Sequence, residues 1–254
     1  MRLTYWFCRQ CWGRGAAVVS SAFNSYSVLL PPICSAMALF LCLVARPLTT
    51  RLNLLDIPGG RKSHRRPTPL MGGIVLLIGF YPWAILWIAL EPQPSGTLLP
   101  VIGCSALLTL LGLVDDRRHL SAAFRLIFCI VVILVTLWHA APLALRAVSW
   151  NYDQGSLTLP SGLGLVVSTL SIVALIQASN LADGKNGLLI GMCLAWIYFL
   201  ASRLPLGIMP VVLGLSAILI VLLAFNLAGA LFLGDGGSYG LATLIGFLAL
   251  LARK

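Results

Sequence analysis

The residues in this sequence that could carry out chemistry are mainly acids that stand just beyond long apolar runs. The set comprises Asp115, Asp116, Asp183 and Asp235. Carboxylate and amide oxygens are the ligands that Mg²⁺ prefers, and a bound Mg²⁺ often bridges phosphate oxygens. Acids at or near membrane depth are costly and usually functional. The pattern therefore predicts a site for magnesium and phosphate.

The adjacent acids Asp115 and Asp116 directly follow the apolar run Leu107–Val114. Two like charges side by side repel each other unless a cation or an arginine offsets them. The pair can be an ordinary solvated acid pair in a loop, or one of its members can act as a general base. Arg125, about one turn beyond the loop, can reach back toward the pair.

Two glycine-rich segments place oxygen ligands beside residues that allow a sharp backbone turn. The segment 180–187 (NLADGKNG) contains Asn180, Asp183 and Asn186, and the segment 234–238 (GDGGS) contains Asp235. The first segment can equally be a capped turn between helices. In the second, amide groups at the start of a helix together with one carboxylate can hold phosphate and metal.

Basic residues concentrate in the loop 46–70, which includes Arg61, Lys62 and His64. These side chains can bind substrate phosphate, or they can simply fix the orientation of the chain in a membrane. The spacing of prolines, glycines and His64 in this loop is more particular than orientation alone requires.

Eight apolar segments must position these residues, and most are near the ~20 residues that a membrane-spanning helix needs. The segments are Tyr26–Ala45, Met71–Leu90, Leu98–Val114, Phe124–Pro142, Leu163–Ser179, Leu188–Leu204, Ile208–Asn226 and Ser238–Ala252. Of the 254 residues, 59% are hydrophobic and 9% are charged, whereas a soluble domain is roughly 25% charged. The sequence therefore excludes soluble, disordered and fibrous proteins. It predicts an all-α, polytopic integral membrane helix bundle with about eight transmembrane helices and cytoplasmic catalytic loops.

The motif loops follow the first, third, fifth and seventh apolar segments, so all four should emerge on the same membrane face. Together with Arg125 they contain ten Lys or Arg residues, whereas the opposite loops contain only Arg146 and Arg203. The positive-inside rule therefore places the motif loops in the cytoplasm. On the opposite face, the segment 156–159 alternates like a short strand and predicts an interfacial hairpin within 143–162.

The net charge of +10 favours contact with anionic lipid and phosphate-bearing substrates. The sequence has no basic run interleaved with aromatic residues, so nucleic acid is not an expected partner. The C-x-x-C at Cys8 and Cys11 has no second pair, which argues against a zinc site. Residues 1–25 are interpreted as an N-terminal extension.

Four segments, taken in this order, resemble the polyprenyl-phosphate N-acetylhexosamine-1-phosphate transferases. They are 56–73 (DIPGGRKSHRRPTPLMGG), 112–117 (GLVDDR), 180–188 (NLADGKNGL) and 232–238 (FLGDGGS). That family includes phospho-MurNAc-pentapeptide translocase and the enzymes that start O-antigen and teichoic acid synthesis. Four ordered motifs at matching spacing, over about residues 28 to 250, make the resemblance specific.

The resemblance implies transfer of N-acetylhexosamine-1-phosphate from a UDP-sugar to undecaprenyl phosphate, with release of UMP. It implies Mg²⁺ as the cofactor, with Mn²⁺ as an alternative ion. It further implies a multi-pass protein of the bacterial inner (cytoplasmic) membrane, in contact with membrane lipid, that initiates a cell-envelope glycan such as O-antigen. A homodimer is also among the expectations.

The resemblance also implies roles for individual residues. Asn180 and Asp235 would be metal ligands, and Asp115 would be the base for the lipid phosphate, supported by Asp116. The substrate-binding residues would be Arg61, Lys62, His64, Arg125, Asp183 and Asn186.

This sequence departs from the resemblance after the fourth motif. Relatives continue with further helices and a cytoplasmic loop whose His and Arg residues help to recognise the sugar and diphosphate, whereas this sequence ends at Lys254. The transferase domain is expected to span 26–254 without those elements and to release UMP slowly or not at all by itself. A non-catalytic homologue that binds lipid phosphate or a partner is one alternative. A transporter is another, although acids clustered at one face do not mark a path across the bilayer.

Overall fold

The structure, a computed structural model, describes residues 25–57, 67–90, 95–151 and 155–253. The described chain is a bundle of helices with two short two-stranded sheets. The helices are α1 (Ser25–Leu43), α2 (Ala45–Leu52), α3 (Gly72–Gly79), α4 (Tyr81–Leu90), α5 (Ser95–Arg118), α6 (Ala122–His139), α7 (Ser161–Ala182), α8 (Leu188–Ala201), α9 (Met209–Leu227) and α10 (Gly234–Leu251). Each of the eight apolar segments of the sequence is helical over most of its length, which confirms an all-α polytopic membrane protein.

The number of full spans is smaller than the eight that the sequence predicts. In the described residues, six stretches are long and apolar enough to cross a membrane, and a seventh is reached if α1 and α2 count as one span bent by 70°. Helix α8 has 14 residues, about 21 Å at 1.5 Å per residue, against a hydrocarbon core of about 30 Å. Apolarity thus located the segments correctly, but not the break after Leu43 or the short length of α8.

Helix α10 forms the centre of the bundle, with 78% of its span buried. It packs against α3, α5, α7 and α8. The closest approach is to α5, where a Cβ added at Gly112 would collide with the backbone of Asp235. The absence of a side chain at Gly112 therefore lets the start of α10 lie directly against the end of α5.

Helix α6 lies at the outside of the bundle, with only 22% of its span buried. Large apolar side chains such as Ile127 and Trp138 are exposed on it. An exposed apolar surface of this kind suits contact with lipid chains. Helices α1 and α9 form a second close pair that completes the bundle.

Two small sheets mark the opposite ends of the bundle. Strand β1 (Leu55–Asp56) pairs with β2 (Thr68–Pro69), and β3 (Ala147–Asn151) pairs with β4 (Gly155–Thr158), both antiparallel. The second pair confirms the predicted hairpin within 143–162. We call the end that carries β1, β2 and the motif loops the motif end, and the end that carries the β3–β4 hairpin the far end.

Candidate functional site

A cleft of about 950 Å³ opens at the motif end of the bundle, and all four motif loops contribute to it. One acid from each loop lines the cleft: Asp56, Asp116, Asp183 and Asp235, with Asp115 beside Asp116. The four loops therefore meet at one end, as the count of spans between them predicts. Which side of a membrane this end faces is not fixed by the contacts and stays a prediction.

Asp115 is bound on two sides at the end of α5. Its Oδ2 forms an ion pair with Arg125 from the first turns of α6, and its Oδ1 accepts a hydrogen bond from the Leu120 amide at 2.7 Å. The Arg125 guanidinium also lies 3.5 Å from Oδ2 of Asp235. Arg125 thus reaches back from the start of α6 and stands between two acids of the cleft.

Asp116 holds the beginning of α10. Its Oδ1 accepts a hydrogen bond from the Asp235 amide at 2.9 Å, and its Oδ2 accepts one from the Gly236 amide at 3.1 Å. The first amides of a helix have no partner within the helix, and its positive end favours a carboxylate. The sequence suggested that these amides could hold phosphate, but in the structure Asp116 already occupies two of them.

Asp183, from a different loop, also accepts a hydrogen bond from the start of α10. Its Oδ2 accepts a hydrogen bond from the Gly234 amide at 3.1 Å. Gly234 has φ of +75°, and a Cβ there would lie 2.9 Å from Oδ2 of Asp116, so glycine alone fits between the two acids. Burial raises the pKa of the Asp183 carboxyl to about 8, an effect that the Gly234 amide reduces and that Asp235 and Asp116 increase.

Asn180 and Asp235, the two predicted metal ligands, are in direct contact. Nδ2 of Asn180 donates to Oδ1 of Asp235 at 2.6 Å and approaches the Ser238 hydroxyl at 3.4 Å. Within the described residues, no three acids, cysteines or histidines form a closed metal cluster. Mg²⁺ is commonly held by one or two protein oxygens and completed by phosphate and water, and this open pair fits that ligand set.

The remaining predicted substrate-binding residues divide into two groups. Asn186 lines the cleft, next to Gly184 of the same loop. Arg61, Lys62 and His64 lie outside the described residues, and their assignment stays a prediction.

Sequence reasoning missed two residues at this end. His119 lines the cleft with φ of +49°. Its position three residues after Asp116 was the available signal. Asn226 is buried between two motif loops, and nothing in its sequence context distinguished it from an ordinary helix-end residue.

Fold and site together define a class: multi-pass α-helical membrane proteins with an acidic cleft at one end of the bundle. Comparison with known sequences identifies the family within that class. The chain belongs to glycosyl transferase family 4, whose sequence model matches residues 98–253.

The chain is similar to several curated relatives. It is 31% identical over 216 residues to the undecaprenyl-phosphate alpha-N-acetylglucosaminyl 1-phosphate transferase of Yersinia pestis, covering 82% of this chain and 56% of the relative. It is 30% identical over 224 residues to the phospho-N-acetylmuramoyl-pentapeptide-transferase of Moorella thermoacetica, covering 76% and 65%. A probable undecaprenyl-phosphate N-acetylglucosaminyl 1-phosphate transferase of Bacillus subtilis is 26% identical over 216 residues, covering 82% and 58%. The chain thus spans roughly 56 to 65% of the length of these relatives.

Proposed function

We propose that this protein transfers N-acetylhexosamine-1-phosphate from a UDP-sugar to undecaprenyl phosphate, releasing UMP, as an early step of cell-envelope glycan synthesis. The observation that carries the proposal is the meeting of Asp115, Asp116, Asp183 and Asp235 in one cleft at the end of a membrane bundle. The names of the relatives support undecaprenyl phosphate as acceptor. Two of those names contain N-acetylglucosamine, which makes UDP-N-acetylglucosamine the first donor to test.

In the proposed reaction, an oxygen of the lipid phosphate attacks the β-phosphorus of the UDP-sugar. The bond between that phosphorus and the oxygen bridging to the UMP phosphate breaks, and UMP leaves with the bond electrons. The attacking group is already an anion, so it needs little help from a base. Positioning and neutralisation of charge supply most of the catalysis in reactions of this kind.

Residues in and beside the cleft fit these tasks. Asn180 and Asp235 would hold Mg²⁺, with Asn180 binding through Oδ1, the amide atom that does not donate to Asp235. A bound Mg²⁺ would neutralise diphosphate oxygens and stabilise the UMP leaving group. Arg125, which pairs with Asp115 and lies close to Asp235, would contact an incoming phosphate. The role of Asp115 as a base stays a prediction, and its two hydrogen bonds support orientation of Arg125 as a further task.

Asp116 and Asp183 have structural and substrate-bordering roles in this proposal. Both carboxylates bind amides at the start of α10 and thereby fix the backbone that carries Asp235. Asp116 would support the reaction by positioning, and Asp183, together with Asn186 on its loop, would border the nucleotide or sugar. We further propose that the motif end faces the cytoplasm of a bacterial inner membrane, on the strength of the basic residues near the motif loops. The homodimer stays a prediction.

The test is UMP release by the purified chain in detergent with undecaprenyl phosphate, UDP-N-acetylglucosamine and Mg²⁺. The chain is assayed alone and with the C-terminal part of the Yersinia pestis relative added as a separate fragment. Asp235→Asn should lower Mg²⁺-dependent release by roughly 100-fold or more, the scale of losing one main charge-stabilising contact. Ser216→Ala is the matched control, because that hydroxyl bonds only within α9, to the Val212 carbonyl.

Two outcomes would contradict the proposal. One is UMP release at the normal rate by Asp235→Asn at moderate Mg²⁺. The other is no release from the wild-type chain, alone or complemented, with several UDP-N-acetylhexosamines. The second result combined with retained binding of lipid phosphate would instead favour the non-catalytic alternative.

A further inference from the structure

Asn226, near the end of α9, uses both ends of its side-chain amide to join two motif loops. Its Oδ1 accepts a hydrogen bond from the Gly187 amide at 2.5 Å, and its Nδ2 donates to the Leu231 carbonyl at 3.0 Å. The side chain is only 3% exposed. Its bond to Leu231 is buried, and its bond to Gly187 is partly buried.

The two loops that Asn226 joins carry the acids of the cleft. Gly187 ends the loop of Asp183 and Asn186, while Leu231 lies in the segment that leads to Asp235. A second bond between the same two loops runs from the Gly234 amide to Asp183. Asn180 also donates to Asp235 between the same two loops. Of these connections, Asn226 supplies the one that binds backbone groups of both loops.

We propose that Asn226 is a positioning residue that fixes the loop of Asp183 relative to the segment of Asp235, and so keeps the cleft ready for Mg²⁺ and the diphosphate. The inference rests on the proposed function. Asn226 does not touch the reacting atoms in this scheme. It acts by holding two backbones whose side chains do.

The chemistry of the amide explains why asparagine suits this position. The site needs one acceptor for the Gly187 amide and one donor for the Leu231 carbonyl, a fixed distance apart, and a planar amide offers both. An ionised aspartate keeps the acceptor and loses the donor. A leucine has neither and would leave the buried Leu231 carbonyl and the partly buried Gly187 amide without these partners, which is costly.

Helix stability alone does not account for these contacts. Ser216, on the same helix, bonds back to the Val212 carbonyl four residues earlier, the usual local bond of a serine in a helix. Both side-chain bonds of Asn226 instead leave its own helix. Ser216→Ala is therefore a control that removes a hydrogen bond from α9 without touching the connection between the loops.

The first measurement is hydrogen exchange of the Gly187 amide, read by mass spectrometry with residue-level fragmentation, in the full chain without Mg²⁺. Asn226→Leu should speed this exchange about 10-fold, the scale expected for loss of one buried hydrogen bond. Asn226→Asp should leave it close to the wild-type rate, because the acceptor remains. Ser216→Ala should leave it unchanged.

The second measurement is the Mg²⁺ concentration that gives half-maximal UMP release by the chain complemented with the C-terminal fragment used in the test of the proposed function. Asn226→Leu and Asn226→Asp should both raise it about 5-fold or more, since either change loosens one loop against the other. A role confined to stability would lower the amount of folded protein without moving this concentration. If Asn226→Leu does not fold, Asn226→Asp still tests the prediction.

Unchanged Gly187 exchange in a folded Asn226→Leu would overturn the inference. So would faster exchange with an unaltered Mg²⁺ requirement in both variants, because the bond would then not position the site. Failure of the proposed function is visible as absence of Mg²⁺-dependent UMP release from the wild-type chain, both alone and complemented. Failure of the inference is visible only in the difference between the wild-type chain and the Asn226 variants.

Discussion

Helix α10 has acidic side chains bound at its start and a basic side chain just beyond its end. At the motif end, the carboxylates of Asp116 and Asp183 accept hydrogen bonds from its first amides. At the far end, Arg253, just beyond the helix, donates to the carbonyls of Pro142 and Ala144 at 3.1 and 2.6 Å. The Asp116 carboxylate at the start and the Arg253 guanidinium at the finish suit the helix dipole, which favours anions at its start and cations at its finish.

The two ends differ in how much charge they bury. All the acids that the structure describes lie at the motif end, around a cleft of about 950 Å³. The far end instead has an apolar cavity of about 610 Å³, lined mainly by side chains such as Leu137 and Leu165, with Arg146 among them. Burial and the nearby Arg146 lower the pKa of Arg253. Charged side chains therefore bind at both ends of α10, but only the motif end gathers acids around a cleft. At the far end, Arg253 only attaches the end of the chain to the segment of Pro142 and Ala144.

The largest difference should appear in access from the two sides of a membrane. In a background without native cysteines, Ser121→Cys at the motif end should react with an impermeant thiol reagent only from the cytoplasmic side. Thr158→Cys, in the far-end hairpin, should react only from the opposite side. Both positions are exposed. A cysteine that does not react from one side of the membrane therefore faces the other side. Labelling of both cysteines from one side would refute the proposed arrangement.

Removal of a motif-end contact should cost the most stability. Asp116→Ala leaves the Asp235 and Gly236 amides without their acceptor, and bonds to charged groups contribute about 1.5–3 kcal/mol each. We expect the free energy of unfolding to fall by about 2–4 kcal/mol, measured by denaturant unfolding in detergent micelles. Asp116→Asn, which keeps one acceptor oxygen, should lose less. Equal stability of Asp116→Ala and wild type would show that α10 needs no carboxylate at its start.

A change in packing at the same place should have a smaller effect. An added methyl at Gly112 meets the Asp235 backbone, and overpacking of this kind costs about 1–3 kcal/mol. Gly103→Ala on the same helix is the matched control, because a Cβ there has open space within 4 Å and alanine favours the helix by up to about 1 kcal/mol. We expect Gly112→Ala to lower the unfolding temperature and the rate of UMP release, and Gly103→Ala to lower neither. Similar behaviour of the two variants would contradict the close contact of α5 and α10.

The smallest effect is expected at the far end. Arg253→Gln weakens two hydrogen bonds of an exposed side chain, so the free energy of unfolding should fall by less than about 1 kcal/mol. The Mg²⁺ requirement for UMP release should not change, because α10 separates this residue from the cleft. A marked shift in that requirement would mean that the two ends are coupled through the helix.

The sequence predicted the helices well because apolar length is a local property. It did not predict the break after Leu43 or the shortness of α8, because the apolar pattern continues through Ala45 at the first and reaches Leu204 at the second. It also placed the acids of the cleft at one end, from the count of spans between Asp115, Asp183 and Asp235. The partner of Asp116 could not be predicted, because the amide that it binds lies 119 residues away and backbone amides have no signature in a sequence.

The hydrogen bonds at the start of α10 have a consequence for the order of assembly. The amides of Gly234, Asp235 and Gly236 find their acceptors 51 to 120 residues earlier in the chain. Contacts between such distant segments form only after the intervening chain has been arranged, at a cost in entropy that local contacts do not carry. We therefore expect α5 and α7 to be inserted before α10 can dock, so that the cleft is completed in a late step of biogenesis. Until then, an insertion intermediate would carry three unpaired amides and two uncompensated acids.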